Sequence, residues 1–268
     1  MCIAIEPGWY KFASVGTAEP ESSASFGAIS QEDVRVDIDQ MLWAMKLADI
    51  RRYAGQRFWE EESQAAWNAM AVERAPRLDS VAEHSWHVAD TALLLAGHFP
   101  FLNAGRCAVL AVLHDKMEIL TGDYDPLGSD GTGKETHAFN EQMRRRKTEA
   151  EKGAIDEYVR LLRPSLRAEQ TELLYECLEM RSAESCFVKA VDKLQALAFV
   201  LIKKAGHMAL EHLSFTLRFS GKAVQYFPGL ALHYQELRSR LLKDVAAVRE
   251  CAVQELETFL SEQGRVIV

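Results

Sequence analysis

Three segments of the chain place histidine or carboxylate side chains inside strongly apolar stretches. His84 stands in SVAEHSWHVAD, His114 and Asp115 end the run CAVLAVLHD, and Asp192 lies within FVKAVDKLQALAFV. A buried carboxylate is costly unless it is paired or bound to a metal ion. Two imidazoles and two carboxylates on three helices form a mixed nitrogen and oxygen set that suits a divalent metal. We therefore predict a metal site built from these four residues.

Two further acids follow the His-Asp pair in HDKMEILTGD. On one helix, His114 and Glu118 lie four residues apart and therefore share a face. Beside a metal ion, such a carboxylate can orient a water molecule or accept its proton, while the metal lowers the pKa of that water. Gly122 then stops the helix, and Asp123 follows where it can contact a substrate hydroxyl or leaving group. Glu118 and Asp123 are the predicted catalytic acids.

The elements that hold these side chains are predicted to be helical throughout. Apolar residues recur three or four positions apart in seven segments, with the charges between them: 37–50, 81–98, 104–120, 135–162, 168–181, 185–205 and 234–263. Alternating strand patterns are nearly absent, so the predicted fold class is all-α. We divide the chain into a loosely ordered N-terminal extension (1–36), a catalytic core (37–205) and additional C-terminal helices (206–268). These last helices would pack on the core or on a dimer partner.

Composition limits the class of protein. The 268 residues are 48% hydrophobic and 26% charged, with a formal net charge of −8. No apolar run approaches the roughly 18 residues of a membrane span, and an acidic chain without a long basic tract disfavours a dedicated nucleic-acid binder. Five scattered cysteines without a CxxC pair predict free thiols, not a disulfide framework or a thiolate zinc site. We therefore expect a cytoplasmic protein.

The order of the four predicted ligands resembles the HD-domain metal-dependent phosphohydrolase superfamily. The strings SVAEHSWHVA, LHDKMEILTGD and FVKAVDKLQAL resemble the branch of the bacterial 5′-deoxynucleotidases and their eukaryotic relatives, over roughly residues 77–200. The resemblance implies an HD-domain helical bundle that binds one divalent ion of Mn, Co, Fe, Zn or Mg. It also implies metal ligands and catalytic acids at matching positions: His84, His114, Asp115, Asp192, Glu118 and Asp123.

One departure from the branch concerns the substrate. The branch carries an Arg–Trp element before the first histidine, which contacts phosphate and selects deoxyribose, but the window 67–70 lacks that arginine. The arginines that could replace it are Arg52, Arg57, Arg74 and Arg77. Of these we expect Arg77 to contact the substrate, together with Lys134, whose ammonium group can bind phosphate as a point charge.

The resemblance implies a phosphohydrolase that removes phosphate from a nucleotide, with a (deoxy)nucleoside 5′-monophosphate as substrate and a homodimer as the assembly. Three alternatives remain open: hydrolysis of a nucleoside triphosphate or another biosynthetic phosphate ester, a non-catalytic regulator, and a diiron oxygenase. Relatives with two irons use extra histidines between the His-Asp pair and the last Asp. Only His137 lies in that interval here, so a single metal is favoured.

Three other patterns resemble functional sites, but each has a simpler structural interpretation. GSDGTGKE at 128–135 nearly matches a phosphate-binding loop, but Glu135 replaces the required hydroxyl and the loop follows a helix. An EF-hand at the same place would lack ligands at Leu127 and Lys134. We predict a flexible loop over the site. The basic run 144–147 is expected to be a solvated helix face, and Trp86 is expected to lie in the core.

Overall fold

A computed structural model of the chain describes residues 30–56, 58–59 and 78–265, with side chains described up to 262. The described part is all-α, as predicted, and its one β-type contact is an isolated bridge between Arg51 and Ser80. None of its helices is long and apolar enough to cross a lipid bilayer. The helices are α1 Gln31–Met45, α2 Val81–Ala96, α3 Ala104–Leu113, α4 Glu118–Thr121, α5 Glu141–Leu161, α6 Pro164–Glu179, α7 Ala183–Lys204, α8 Leu210–Ser220, α9 Lys222–Tyr226, α10 Ala231–Arg249 and α11 Val253–Arg265.

Several predicted boundaries differ from the observed ones. The predicted helix 104–120 is broken between α3 and α4, where the amide of Lys116 donates to the carbonyl of Leu113 at 3.1 Å and that of Glu118 to Asp115 at 3.0 Å. These three-residue hydrogen bonds tighten the chain into a turn. The predicted helix 234–263 is likewise divided into α10 and α11, and α1 begins within the segment assigned to the N-terminal extension.

Side-chain caps begin the three helices that carry the predicted ligands. Ser80 caps α2 with a capping box, in which its hydroxyl accepts from the amide of Glu83 and the Glu83 carboxylate accepts from the amide of Ser80. Asn103 caps α3 through the amide of Arg106, and Ser182 caps α7. Each cap satisfies amides that the first helical turn leaves without a partner, and so helps to set where the helix starts.

Helix α7 lies at the centre of the bundle. More than half of its residues are buried, and it contacts α2, α3, α6, α8, α9 and α10. A helix covered on most sides occupies the interior of a domain. The C-terminal helices α8, α9 and α10 therefore pack on the core through α7. The polar residues Asp192, Lys193 and Gln195 are buried within this helix, and they need polar partners there.

The segment before α2 is fixed against the bundle by the bridge at Arg51. The amide of Arg52 donates to the carbonyl of Asp79 at 2.9 Å, and the ring of Tyr53 stacks on Phe199 of α7 at a centroid distance of 5.0 Å. These contacts hold Arg52 and Tyr53 beside the beginning of α2 and against α7.

One expectation about burial is wrong. Trp86 is 63% exposed, because its position on α2 faces away from the side that carries the buried residues His84 and Val88. No residue of α1 is buried, in spite of the apolar spacing of this helix. Helix α1 instead meets the bundle through partly exposed contacts, including the stacking of Trp43 on Tyr158 at 5.0 Å.

Candidate active site

Three of the predicted metal ligands form a compact cluster. His84 comes from α2, His114 follows the last residue of α3, and Asp192 comes from α7. One ligand atom from each lies within 4.8 Å of the other two, and the Nε2 atom of His84 is 3.2 Å from Oδ1 of Asp192. Residues that the sequence separates widely are therefore brought together by the packing of α2 and α3 on α7.

The tautomers of the two histidines follow from their other ring nitrogens. The Nδ1 atom of His84 is 2.7 Å from Oε1 of Gln195, and that of His114 is 2.7 Å from the carbonyl oxygen of Ala111. Because both partners are carbonyl oxygens, which only accept, each Nδ1 carries the proton. The two unprotonated Nε2 atoms then face each other at 3.3 Å. This is the arrangement in which imidazoles ligate a metal ion.

Asp115, the fourth predicted ligand, lies beside this cluster. Its Oδ2 atom is 3.0 Å from Nε2 of His114 and 3.5 Å from Nε2 of His84. Burial disfavours its charged form, but the imidazole of His114 holds the pKa of this carboxyl well below its usual range. Burial, with a contribution from Arg52, lowers the pKa of His84 to about 4, so this imidazole is neutral at physiological pH. Burial opposes the charged form of His114, but the neighbouring Asp115 carboxylate raises the pKa of this imidazole above its usual value. The cluster thus offers two imidazole nitrogens and two carboxylates to a cation.

Both predicted catalytic acids line a cavity of about 250 Å³ that opens from the cluster. Glu118 is only 5% exposed, and its Oε2 atom is buried without a hydrogen bond to any described part of the chain. Burial and the nearby charges of Asp115 and Asp123 raise the pKa of Glu118 well above its usual range. Asp123 accepts a hydrogen bond from the amide of Tyr53 at 3.4 Å, and burial raises its pKa. Carboxyl groups with raised pKa values are suited to proton transfer near neutral pH.

Of the four candidate arginines, Arg52 is the one that the structure describes, whereas Arg57, Arg74 and Arg77 lie outside the described residues. Arg52 lines the cavity, and its Nη1 atom donates to Oε1 of Gln195 at 3.5 Å. Burial disfavours its charge, but the nearby Tyr53 and the carboxylates of the cavity raise its pKa. The guanidinium group is therefore charged and lies within the site.

The loop between α4 and α5 forms one wall of the cavity through Tyr124, Pro126 and His137. Within this loop, the carboxylate of Asp125 accepts hydrogen bonds from the amide of Leu127 at 2.8 Å and from the amide of Gly128 at 3.0 Å. These contacts agree with the rejection of an EF-hand at this loop. Lys134 is exposed and does not line the cavity, so its contact with substrate stays a prediction.

Sequence reasoning missed the cations that line the cavity. The basic run 144–147 was expected to face solvent, and Arg145 does so, but Arg144 and Lys147 line the cavity. Helical spacing places residues 144, 147, 148 and 151 on one face. This spacing was the signal in the sequence that the four side chains could line the same cavity. On α7, Nζ of Lys189 is 3.4 Å from Oδ2 of Asp192, and Nζ of Lys193 is 2.9 Å from the same atom. Lys222 of α9 lines the same cavity.

Comparisons with known proteins agree with this architecture. A profile described as HD domain matches residues 68–228. The human 5′-deoxynucleotidase HDDC2 is 30% identical over 169 residues, which cover 63% of this chain and 72% of the human protein. The Schizosaccharomyces pombe 5′-deoxynucleotidase hdd1 is 30% identical over 152 residues, 55% of this chain and 69% of the yeast protein.

A solved structure shares the fold. It comes from Magnetospirillum magnetotacticum MS-1 and is described as a "predicted metal-dependent phosphohydrolase". The match has a TM-score of 0.55 at 21% sequence identity, and it covers 80% of this chain and 97% of the bacterial one.

Proposed function

This chain belongs to the HD-domain family, and we propose that it is a metal-dependent phosphohydrolase that removes the phosphate of a nucleoside 5′-monophosphate, preferably a 2′-deoxynucleotide. The observation that carries the proposal is the convergence of two imidazole Nε2 atoms and two carboxylates at one end of a cavity. The names of the human and yeast relatives support a nucleotide as the substrate.

The donor set fits a divalent metal ion. His84, His114, Asp115 and Asp192 would hold one ion, and a mixed nitrogen and oxygen set accepts Mn²⁺, Co²⁺, Fe²⁺, Zn²⁺ or Mg²⁺. When bound, the ion would supply positive charge to the phosphoryl oxygens and lower the pKa of a water molecule. Gln195 and the carbonyl of Ala111 accept hydrogen bonds from Nδ1 of the two imidazoles, so each neutral ring has its lone pair on Nε2, where it can bind the ion.

Glu118 and Asp123 would move the protons of the reaction. Water attacks the phosphorus atom, and the bond between phosphorus and the ester oxygen breaks. Glu118 accepts a proton from the attacking water through its free Oε2 atom. Asp123, whose pKa is raised by burial, gives a proton to the leaving sugar oxygen. Inorganic phosphate and the nucleoside are the products.

Arg52 would take the place of the arginine that the family's Arg–Trp element supplies. It lines the cavity, stays charged and is held there by the bridge at Arg51. A guanidinium group binds phosphate with two parallel hydrogen bonds. Because Gln195 accepts from both Arg52 and His84, phosphate binding at Arg52 is linked to the orientation of that imidazole.

The proposed function is tested by phosphate release from ribo- and deoxynucleoside mono-, di- and triphosphates, with Mn²⁺, Co²⁺ or Mg²⁺ against a chelated control. We expect metal-dependent release of inorganic phosphate from monophosphates, fastest with the deoxy series. Release of tripolyphosphate from triphosphates would contradict the proposed reaction, and metal-independent release would contradict the site.

We also propose that the protein acts in the cytoplasm as a homodimer. Light scattering coupled to size-exclusion chromatography tests the assembly, with twice the chain mass as the expected result and the chain mass as the contradicting one. Localisation of the tagged full chain tests the compartment, and a signal outside the cytoplasm would contradict it.

A further inference from the structure

The end of the cavity formed by α5, α8 and α9 carries a cation without a counterion. Lys222 begins α9, and its ammonium group donates to the carbonyl oxygen of Ala138. Its Nζ atom lies 4.6 Å from the ring centroid of Phe139 and 5.4 Å from that of Phe219. Lys222 forms no ion pair with a carboxylate of the residues that the structure describes. A partly buried charge of this kind is costly unless another group neutralises it.

The neighbours of Lys222 are themselves cations. Nζ of Lys193 lies 4.4 Å from the Phe219 centroid, and Cζ of Arg218 lies 3.7 Å from the Phe139 centroid. Burial, together with Arg144, Lys193 and Arg218, lowers the pKa of Lys222 to about 8. An anion bound among these groups would relieve their mutual repulsion.

The other cavity lysines differ from Lys222 because each has a carboxylate partner. Lys147 pairs with Glu151 at 2.8 Å, and Lys189 and Lys193 pair with Asp192. Among the lysines of the cavity wall, Lys222 is therefore the one that the described carboxylates leave uncompensated.

We propose that Lys222, Arg144 and Lys193 form a second anion-binding subsite, which holds a second phosphate group of the substrate. The proposal rests on the proposed function, since it places the scissile phosphate at the cluster around Asp192. Lys193 contacts Asp192 on one side and shares the Phe219 ring with Lys222 on the other. The subsite thus lies one side chain beyond the cluster.

The position of the subsite indicates where the second phosphate is attached. Lys222 is connected to the cluster through the Phe219 ring and then Lys193, and the proposal therefore places the second phosphate on a different position of the sugar from the first. The substrate class is a nucleoside bisphosphate with its phosphates on different positions of the sugar. Water cleaves the 5′ ester, and the products are inorganic phosphate and the nucleoside monophosphate that keeps the other phosphate.

The test compares kcat and KM for deoxyadenosine 5′-monophosphate, deoxyadenosine 3′,5′-bisphosphate and deoxyadenosine 5′-diphosphate. It uses the metal-loaded wild type, Lys222→Met, Lys222→Arg and the control Lys243→Met, which removes an exposed lysine of α10. We expect a KM about tenfold lower for the bisphosphate than for the monophosphate, the effect of one charge-assisted hydrogen bond. Lys222→Met should abolish this difference by raising the KM for the bisphosphate to that for the monophosphate. Lys222→Arg and Lys243→Met should retain it.

Three results would overturn the subsite: equal KM values for the two ligands in the wild type, equal loss for both in Lys222→Met, or preference for the diphosphate. Equal loss would mean that Lys222 acts only by anchoring the loop through Ala138. If none of the nucleotides is hydrolysed, the proposed function fails separately. In that case calorimetric titration of the same proteins with the mono- and the bisphosphate tests the subsite. The wild type should bind the bisphosphate about tenfold more tightly than the monophosphate, and Lys222→Met should bind the two equally.

Discussion

The two ends of the cavity carry side chains of opposite charge. At the cluster of His84, His114, Asp115 and Asp192, the side chains present lone pairs and negative charge, so they are complete only with a cation. At the wall around Lys222, the side chains present positive charge, so they are complete only with an anion. Lys193 lies between them and touches both. One cavity is therefore arranged to bind a metal ion at one end and an anionic group of its ligand at the other.

Removing a ligand should have the largest effect on this arrangement. His114→Ala should abolish metal binding and phosphate release, because it removes one of two imidazole donors and leaves the carboxylates repelling each other. His87→Ala is the matched control, since His87 lies one turn from His84 on α2 and is exposed. Metal content per chain and phosphate release measure the effect. Retention of metal by the His114 variant would contradict the ligand assignment.

Glu118→Gln should separate chemistry from metal binding. The amide keeps the size of the side chain but cannot accept the proton, so turnover should fall about 100- to 10,000-fold, the range of general base catalysis. Metal content should stay at the wild-type value. Steady-state kinetics and elemental analysis of the same preparation test both statements, and full turnover in this variant would remove Glu118 from the mechanism.

Gln195→Leu should lower the metal affinity of the cluster although it replaces none of the four ligands. It removes the acceptor that keeps the proton on Nδ1 of His84, and loss of such a partner lowers metal affinity about 10- to 100-fold. Because Arg52 also donates to Gln195, the KM for the monophosphate should rise as well. Competition with a chromogenic chelator measures the affinity. An unchanged affinity would show that the ring orientation of His84 does not depend on Gln195.

The smallest expected effect is a change in stability with pH, caused by the titration of Lys222. The pKa of Lys222 is lowered to about 8 in the folded protein, whereas an unfolded lysine titrates near 10.4. Between these two pH values, Lys222 is protonated more fully in the unfolded chain than in the folded protein. The free energy of unfolding therefore rises as pH increases through this range. The groups that face Lys222 are the cations Arg144, Lys189, Lys193 and Arg218.

The melting temperature of the wild type should therefore rise relative to that of Lys222→Met between pH 7 and pH 10. Differential scanning calorimetry of the two proteins in matched buffers measures this difference. A difference that is independent of pH would show that Lys222 is not destabilised by its neighbours, and it would remove one support of the anion subsite.

The sequence predicted one end of the cavity much better than the other. His84, His114 and Asp192 interrupt apolar runs, and a polar residue in a buried position is conspicuous because it needs a partner. Lys147 lies in a highly charged run, and Lys222 follows a glycine at the start of a short helix. At neither position does the sequence distinguish a side chain that faces a cavity from one that faces solvent. Only the packing of α5 and α9 against the core separates these two cases.

Local geometry was predicted less well than fold class. The apolar spacing across 104–120 indicated one helix, whereas the chain turns between Leu113 and Glu118. The placement of Arg52 depends on a bridge to Ser80 across an intervening segment, and such long-range contacts leave no periodic trace. The exposure of Trp86 has the same origin, because helical period defines faces but not which face meets a neighbour.

The most direct test of the central claim is a metal titration of activity with deoxyadenosine 5′-monophosphate. Phosphate release is measured on one preparation before chelation, after chelation and during stepwise addition of Mn²⁺ or Co²⁺. Activity should vanish with chelation and return to its full value at one ion per chain, because one cluster of four ligands holds the ion. Activity that persists in chelator, or that requires two ions per chain, would contradict this account of the site.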